Sequence, residues 1–137
     1  MTRLSRFRSE DGQAITEFAI VLPILMMLLL GIIQFGIIFN NYITLTDATR
    51  AGARKAAVTR FDGLNDNGAA AVAAVEKSAQ GLDQSVLDPT INVTADPNWD
   101  LPGSEVTVTA SYPYSINILG FKITAGTLTS TTKERLE

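Results

Sequence analysis

The fold is decided by residues 12–39, which read GQAITEFAIVLPILMMLLLGIIQFGIIF. No charged residue occurs in residues 18–46. An α-helix rises about 1.5 Å per residue, so about 20 apolar residues cross the ~30 Å hydrocarbon core of a bilayer. Each central Leu, Ile or Phe favours insertion by roughly 0.3–0.6 kcal/mol, which outweighs Pro23 and Gln34. The sequence therefore predicts a helix that spans a lipid bilayer at about residues 18–39.

The composition limits the class of protein. The chain has 137 residues, no Cys, no His and a formal net charge of −3. It therefore has no disulfide, no thiolate nucleophile and no imidazole base or ligand, and nothing in its charge favours nucleic acid as a partner. The stretch that starts at Asp96 fails as a calcium loop, because Leu101 and Thr107 stand where Gly and a bidentate Glu belong. We expect one small domain outside the span, no enzymatic activity, no cofactor and no metal.

The amino-terminal side of the span carries the most informative polar residue. The apolar run is too long for an ordinary secretory signal and lacks a small-residue cleavage site after it. Glu17 lies just before the charge-free run, where a carboxylate is costly to place near lipid. It either reaches water in the headgroup zone or meets a partner charge. If the chain is cut after Gly12, the new amine of Gln13, or that of a neighbouring subunit, can pair with this carboxylate.

Residues 12–18 read GQAITEF and resemble the class III signal of type IV pilin-like proteins, which has a glycine, four residues, a glutamate, an aromatic residue and an apolar helix. More narrowly, residues 10–58 resemble the TadE-like family of the Tad (Flp) pilus assembly system. The features shared with that family are the GQAITEFA start, the proline inside the span and the segment ATRAGAR at residues 48–54.

The resemblance implies a processed precursor. Residues 1–12 would be a cytoplasmic leader that a prepilin peptidase removes, so that Gly12 precedes the cut and Gln13 becomes the new terminus. Glu17, followed by Phe18, would recognise the amine of a neighbouring subunit and set its register. Residues 13–58 would form the long helix, and residues 59–137 a small exported domain.

The resemblance also implies a function and a location. The Glu-Phe pair and the chain length favour a minor pilin or pseudopilin over the main Flp filament subunit. Its partners would be the prepilin peptidase, other Tad pilins and minor pilins, the inner-membrane assembly platform and the lipid bilayer. It would cross the bacterial cytoplasmic membrane once, with its amino terminus inside, and either stay there or enter a surface pilus. Whether that pilus serves adhesion, DNA uptake or secretion stays open. The alternative is a signal-anchored exported domain that binds a cell-surface ligand.

Three further residues of the long helix have two interpretations each. Pro23 removes a backbone hydrogen bond and predicts a kink, which is either a tolerated bend or an aid to leaving the bilayer. Arg50 and Arg54 lie one turn apart on one face. They are either solvated and paired with acids such as Asp47, or they face a partner subunit.

The remaining chain predicts an α+β domain. Residues 69–80 form a second helix, capped by Asn67 and ended by Gly81. The period then changes to two, which predicts a short antiparallel sheet. The predicted strands are Thr90–Ala95, Glu105–Tyr112 and about Lys122–Lys133. Residues 112–121 are predicted to be a turn whose apolar residues close the core, touch the membrane or contact a subunit.

Overall fold

The computed structural model describes residues 9–59, 68–90, 105–118 and 120–135. Its elements in chain order are α1 (Ser9–Val58), α2 (Ala69–Ser78), β1 (Asp88–Thr90), β2 (Glu105–Ile118) and β3 (Phe121–Arg135). The three strands form one antiparallel sheet in the order β1-β2-β3. The predicted α+β class, a long apolar helix followed by a second helix and a short sheet, is confirmed.

Helix α1 contains 50 residues and is therefore about 75 Å long. It ends at Val58, as predicted, but it begins at Ser9 rather than at Gln13. Pro23 lies inside it without ending it. Residues 12–58 are long and apolar enough to cross a membrane, and their most apolar part is not buried against the rest of the chain.

The carboxyl-terminal part of α1, from Leu45 to Ala53, packs on the rest of the domain through one narrow stripe of side chains. The fully buried positions recur at the spacing of a single helix face, and they are Leu45, Ala48, Thr49, Gly52 and Ala53. Opposite them lie residues of α2, of β2 and of the segment between α2 and β1, namely Val75, Ala79, Leu82, Leu87, Val108 and Ala110. Most of the α1 side chains in this stripe are small, so the helix backbone comes close to its neighbours.

Helix α2 begins where it was predicted to begin and ends two residues early. Gly68 holds the N-cap position in a left-handed conformation (φ 80°, ψ 10°) without a side-chain cap, and the predicted cap, Asn67, lies outside the described residues. At the other end the Ala79 amide donates to the Val75 carbonyl, and the helix stops at Ser78. Gly81 was predicted to end the helix at its C′ position. This is wrong, because Ala79 is the C-cap and Gly81 follows it by two residues, without the positive φ that is common at C′.

The link between α2 and β1 is held by side-chain hydrogen bonds. The Gln84 amide donates to the carbonyls of Ala79 (2.6 Å) and Leu82 (3.2 Å). One oxygen of Asp83 accepts from the hydroxyl (2.7 Å) and the amide (3.0 Å) of Ser85, and these two bonds hold the pKa of Asp83 below its usual value. These hydrogen bonds therefore fix the path of the chain from α2 to β1.

Strand β2 shows the predicted alternation. Its valines, Val106 and Val108, and Ala110 are buried, whereas Thr107 and Thr109 lie on the opposite, more exposed face. The first predicted strand is only partly described, because β1 covers residues 88–90 and residues 91–95 lie outside the described part of the chain. Of the stretch rejected as a calcium loop, residues 96–104 also lie outside it, whereas Thr107 belongs to β2.

The predicted turn at residues 112–121 is wrong for most of its length. Strand β2 continues to Ile118 and pairs with β3 down to Phe121, so these residues form the end of a long hairpin. Pro113 suggested a turn, but β1 pairs only with residues 109–111, and among the described residues β2 has β3 alone as its neighbour at Pro113. A proline is tolerated where its missing N–H faces a sheet edge. The chain reverses at Gly120, whose φ is 85°.

We predict that Gly52→Ala destabilises the domain by about 1–2 kcal/mol, which is the usual penalty of overpacking reduced by the better helix propensity of alanine. A Cβ at this position would overlap a methyl group of Val75 and lie 3.3 Å from the Ala71 carbonyl oxygen. Thermal unfolding of the detergent-solubilised protein, followed by circular dichroism, measures the loss. Gly81→Ala is the matched control, because its nearest neighbour would be Thr44 Cγ2 at 4.0 Å. Equal stability of both variants would contradict the tight packing.

Candidate functional site

The predicted processing and register residues lie together near the start of α1. The side-chain amide of Gln13 donates to a carboxylate oxygen of Glu17 at 3.0 Å, one helical turn away. Both side chains are exposed, and so is Phe18, which is 62% exposed. The helix therefore places residues 13 and 17 on one face and presents them outward.

The peptide bond between Gly12 and Gln13 lies inside the helix rather than before it. The Gly12 carbonyl accepts a hydrogen bond from the Thr16 hydroxyl at 2.9 Å. A Cβ at Gly12 would have no atom within 4 Å, so the glycine is not required by packing. Cleavage at this bond needs the first turn of α1 to unwind, and glycine lowers that barrier because it is a poor helix former.

Arg50 and Arg54 lie about 50 Å further along α1, so the helix carries two separate candidate surfaces. The second surface is an open groove of about 710 Å³. Residues of α1, α2 and β3 line it, and they are Arg50, Ala51, Arg54, Lys55, Val58, Ala74, Thr132 and Glu134. Three of these side chains are basic and one is acidic, so the groove carries a net positive charge.

Arg50 makes the ion pair that the sequence predicted, with Asp47 at 3.4 Å. Both side chains are more than 60% exposed, so the pair contributes at most about 1 kcal/mol. Arg54 and Lys55 are exposed to solvent at the groove. The sequence did not indicate Lys55 or Glu134 as groove residues, because the groove forms only when β3 packs beside α1.

A buried hydroxyl cluster holds β3 against α1 next to this groove. The Thr49 hydroxyl lies 3.0 Å from that of Ser130 and 3.1 Å from that of Thr132, and it donates to the Thr46 carbonyl at 2.8 Å. Thr49 and Ser130 are buried. Because an unpaired buried hydroxyl is costly, these bonds fix the lateral position of β3 on the helix. Sequence reasoning missed this cluster, since threonines that alternate with apolar residues along a strand usually face solvent.

A second contact ties the far end of the hairpin to the apolar part of α1. The Gln34 side-chain amide donates to the carbonyl of Asn117 at 3.2 Å. The buried stripe of α1 continues toward the amino terminus as half-buried positions at Leu30, Gln34, Ile38 and Asn41. Most α1 residues on the other faces of this part are exposed. The hairpin of β2 and β3 therefore follows α1 into the segment predicted to span the bilayer.

Pro23 is in the exposed apolar part of α1, about 9 Å along the helix axis from Glu17 and about 40 Å from Arg50. Among the described residues no group of three or more acidic, His or Cys side chains is placed to hold a metal ion.

Comparison with known proteins gives one match. The family model described as TadE-like protein matches residues 12–54. No curated protein and no solved structure matches the chain. The matched segment begins at Gly12, includes the pair of Gln13 and Glu17 and the apolar run, and ends at Arg54 in the basic groove.

Proposed function

Over residues 12–54 this chain is a TadE-like protein, and from that premise we propose that it is a minor pilin or pseudopilin of a Tad (Flp) pilus. In this proposal it is a structural component without enzymatic activity, anchored in the bacterial cytoplasmic membrane by residues 18–39. Its amino terminus lies inside and its small α+β domain outside. The observation that carries the proposal is the family match, which starts at the glycine of the pilin-like signal.

The first step of the proposed mechanism is hydrolysis of the peptide bond between Gly12 and Gln13 by a prepilin peptidase. Water adds to the Gly12 carbonyl carbon, the C–N bond breaks, and the Gln13 nitrogen takes a proton to become an amine. Before this, the Gly12 carbonyl must lose its contact with the Thr16 hydroxyl. Residues 1–12 then leave as the free leader.

The second step uses the new amine. In the uncut chain Glu17 accepts a hydrogen bond from the uncharged side-chain amide of Gln13. After cleavage a positively charged amine is available, either in the same subunit or in a neighbour. Pairing this amine with the carboxylate adds direct attraction between opposite charges to the hydrogen bond, and that attraction is stronger in a low-dielectric helix bundle than in water. Glu17 would thus set the register of one subunit against the next.

The basic groove supplies a contact for the exported half of the helix. Arg54 and Lys55 are exposed there beside Ala51 and Val58, so the surface combines positive charge with small apolar side chains. Such a surface suits an acidic segment of another pilin or of the assembly platform, because complementary charge steers association and fixes orientation. Arg50 and Arg54 are then partner-facing residues, with Arg50 also held by Asp47.

We expect protein extracted from membranes to begin at Gln13 only when a prepilin peptidase is present, as measured by intact mass. Gly12→Ala should slow the cut about fivefold or more, because alanine stabilises the helical turn by about 1 kcal/mol. Gly36→Ala is the control, since a Cβ at either glycine meets no atom within 4 Å. An intact Met1 with and without the peptidase would contradict the pilin mechanism and leave a signal-anchored domain that binds a surface ligand.

We expect Glu17→Gln to be cleaved normally but to copurify with other pilus components about tenfold to a hundredfold less well, because a buried charged hydrogen bond contributes about 1.5–3 kcal/mol. The glutamine keeps the shape of the side chain and removes its charge. Glu76→Gln, an exposed position on α2, makes the same chemical change outside the site. Equal copurification of the two processed variants would show that Glu17 does not set the register.

We expect Arg54→Glu to weaken the same copurification about twofold to fivefold at low salt, since exposed charge pairs contribute about 0.2–1 kcal/mol each. The difference should vanish at 1 M salt, where the Debye length is only about 3 Å. Lys77→Glu is the matched control, because Lys77 is exposed on α2 and does not line the groove. If both charge reversals weaken binding equally, the groove is not the contact surface.

A further inference from the structure

The closed end of the β2–β3 hairpin is apolar and exposed. Phe121 is 74% exposed and Ile123 is 62% exposed, while Ile116 and Ile118 on the paired strand are half-buried. By contrast, the other end of β3 carries threonines and the charged residues Lys133, Glu134 and Arg135. Large apolar side chains are thus gathered at one end of an otherwise polar hairpin, and that end needs an apolar environment.

The position of this end along α1 identifies the environment. The Gln34 amide donates to the Asn117 carbonyl, which holds the hairpin end beside residue 34. Gln34 lies five residues before the end of the apolar run at Phe39, which is about 7.5 Å along the helix axis. Residues 18–39 span about 33 Å, close to the ~30 Å hydrocarbon thickness, so the bilayer boundary lies near Phe39. The hairpin end is therefore below that boundary.

The polar groups of the hairpin limit the depth. An open sheet edge is not tolerated deep in hydrocarbon, since its outward N–H and C=O groups would lack partners. Peripheral elements bury their apolar side chains about 5–10 Å into the boundary between headgroups and acyl chains. The depth of Gln34 falls in this range. Lys122 is exposed beside Phe121 and can reach lipid phosphates with its ammonium group.

We infer that the β2–β3 hairpin end is a second membrane contact, which inserts Phe121 and Ile123 into the outer interface of the bilayer that α1 spans. The apolar surface of the span and that of the hairpin end then form one continuous lipid-facing surface. The contact fixes the rotation of the whole protein about the α1 axis relative to the bilayer. This inference depends on the membrane-spanning position of α1 in the proposed function.

The test uses single cysteines with an environment-sensitive nitrobenzoxadiazole label, because the natural chain contains no cysteine. The full chain is reconstituted into vesicles of phosphatidylcholine and phosphatidylglycerol, either without a quencher or with a phospholipid that carries a doxyl group. The doxyl group lies near the headgroup end of the acyl chain in the shallow quencher and near the methyl end in the deep quencher. Labels at Phe121→Cys and Ile123→Cys report on the hairpin end. A label at Lys133→Cys, at the opposite end of β3, is the matched control, and one at Leu25→Cys reports on the span.

We expect the labels at residues 121 and 123 to lose about half of their emission to the shallow quencher, as befits a depth of 5–10 Å, and the label at residue 133 to lose none. If the label at residue 25 is quenched by deep doxyl lipid but those at 121 and 123 are not, the span holds and the hairpin inference fails. If none of the labels is quenched, the spanning helix itself fails. If the emission of the label at residue 121 is blue-shifted but not quenched by lipid, the surface contacts a second copy of the chain and the inference fails. Circular dichroism verifies that each variant keeps its fold.

Discussion

The structure depends on the close approach of α1 to α2 and β2 at Gly52. An added Cβ at this position would overlap Val75 and lie 3.4 Å from a methyl group of Val108. The small residues around it, Ala48 and Ala53, are fully buried, so the helix backbone itself forms part of the core. A 50-residue helix with most of its length exposed has few such anchoring points. The packing at Gly52 therefore attaches the domain to the carboxyl-terminal end of α1.

Helix α1 has one part whose surface suits lipid and another whose surface suits water, and the exposed side chains differ between the two parts. In the first part of α1 most of the large apolar residues point outward and are 43–69% exposed, as a lipid-facing surface requires, whereas Leu30 and Ile38 are half-buried. In residues 45–58 of α1 the small side chains pack against the domain and the charged side chains are exposed. The hairpin overlaps the junction of the two parts, and Gln34, the one side-chain amide of the apolar run, is paired there with a backbone carbonyl. A polar group at that depth is costly unless it is paired in this way.

The sequence predicted the elements whose pattern is local. Charge-free length predicted α1, and period two predicted most of β2 and β3. The long hairpin was missed because Pro113 and Gly120 are typical of a turn, and only pairing with β3 overrides the local preference at Pro113. The basic groove was half predicted, as the two arginines are one turn apart on a helix, whereas Glu134 comes from a strand distant in sequence. The cluster around Thr49 has no local signal at all, because each hydroxyl gains its partner only on folding.

The scarcity of charge on α1 also explains how one carboxylate can have a large effect. Between Glu17 and Asp47 the helix carries no charge, and apolar side chains pack against similar side chains at many axial offsets with similar energy. Packing alone would therefore let neighbouring helices slide by a turn. A single pair of opposite charges in a low-dielectric bundle separates these offsets by several kcal/mol, since an unpaired carboxylate there is heavily penalised. In the proposed assembly the register of such helices would thus be set where the charge lies, at the amino-terminal end of α1.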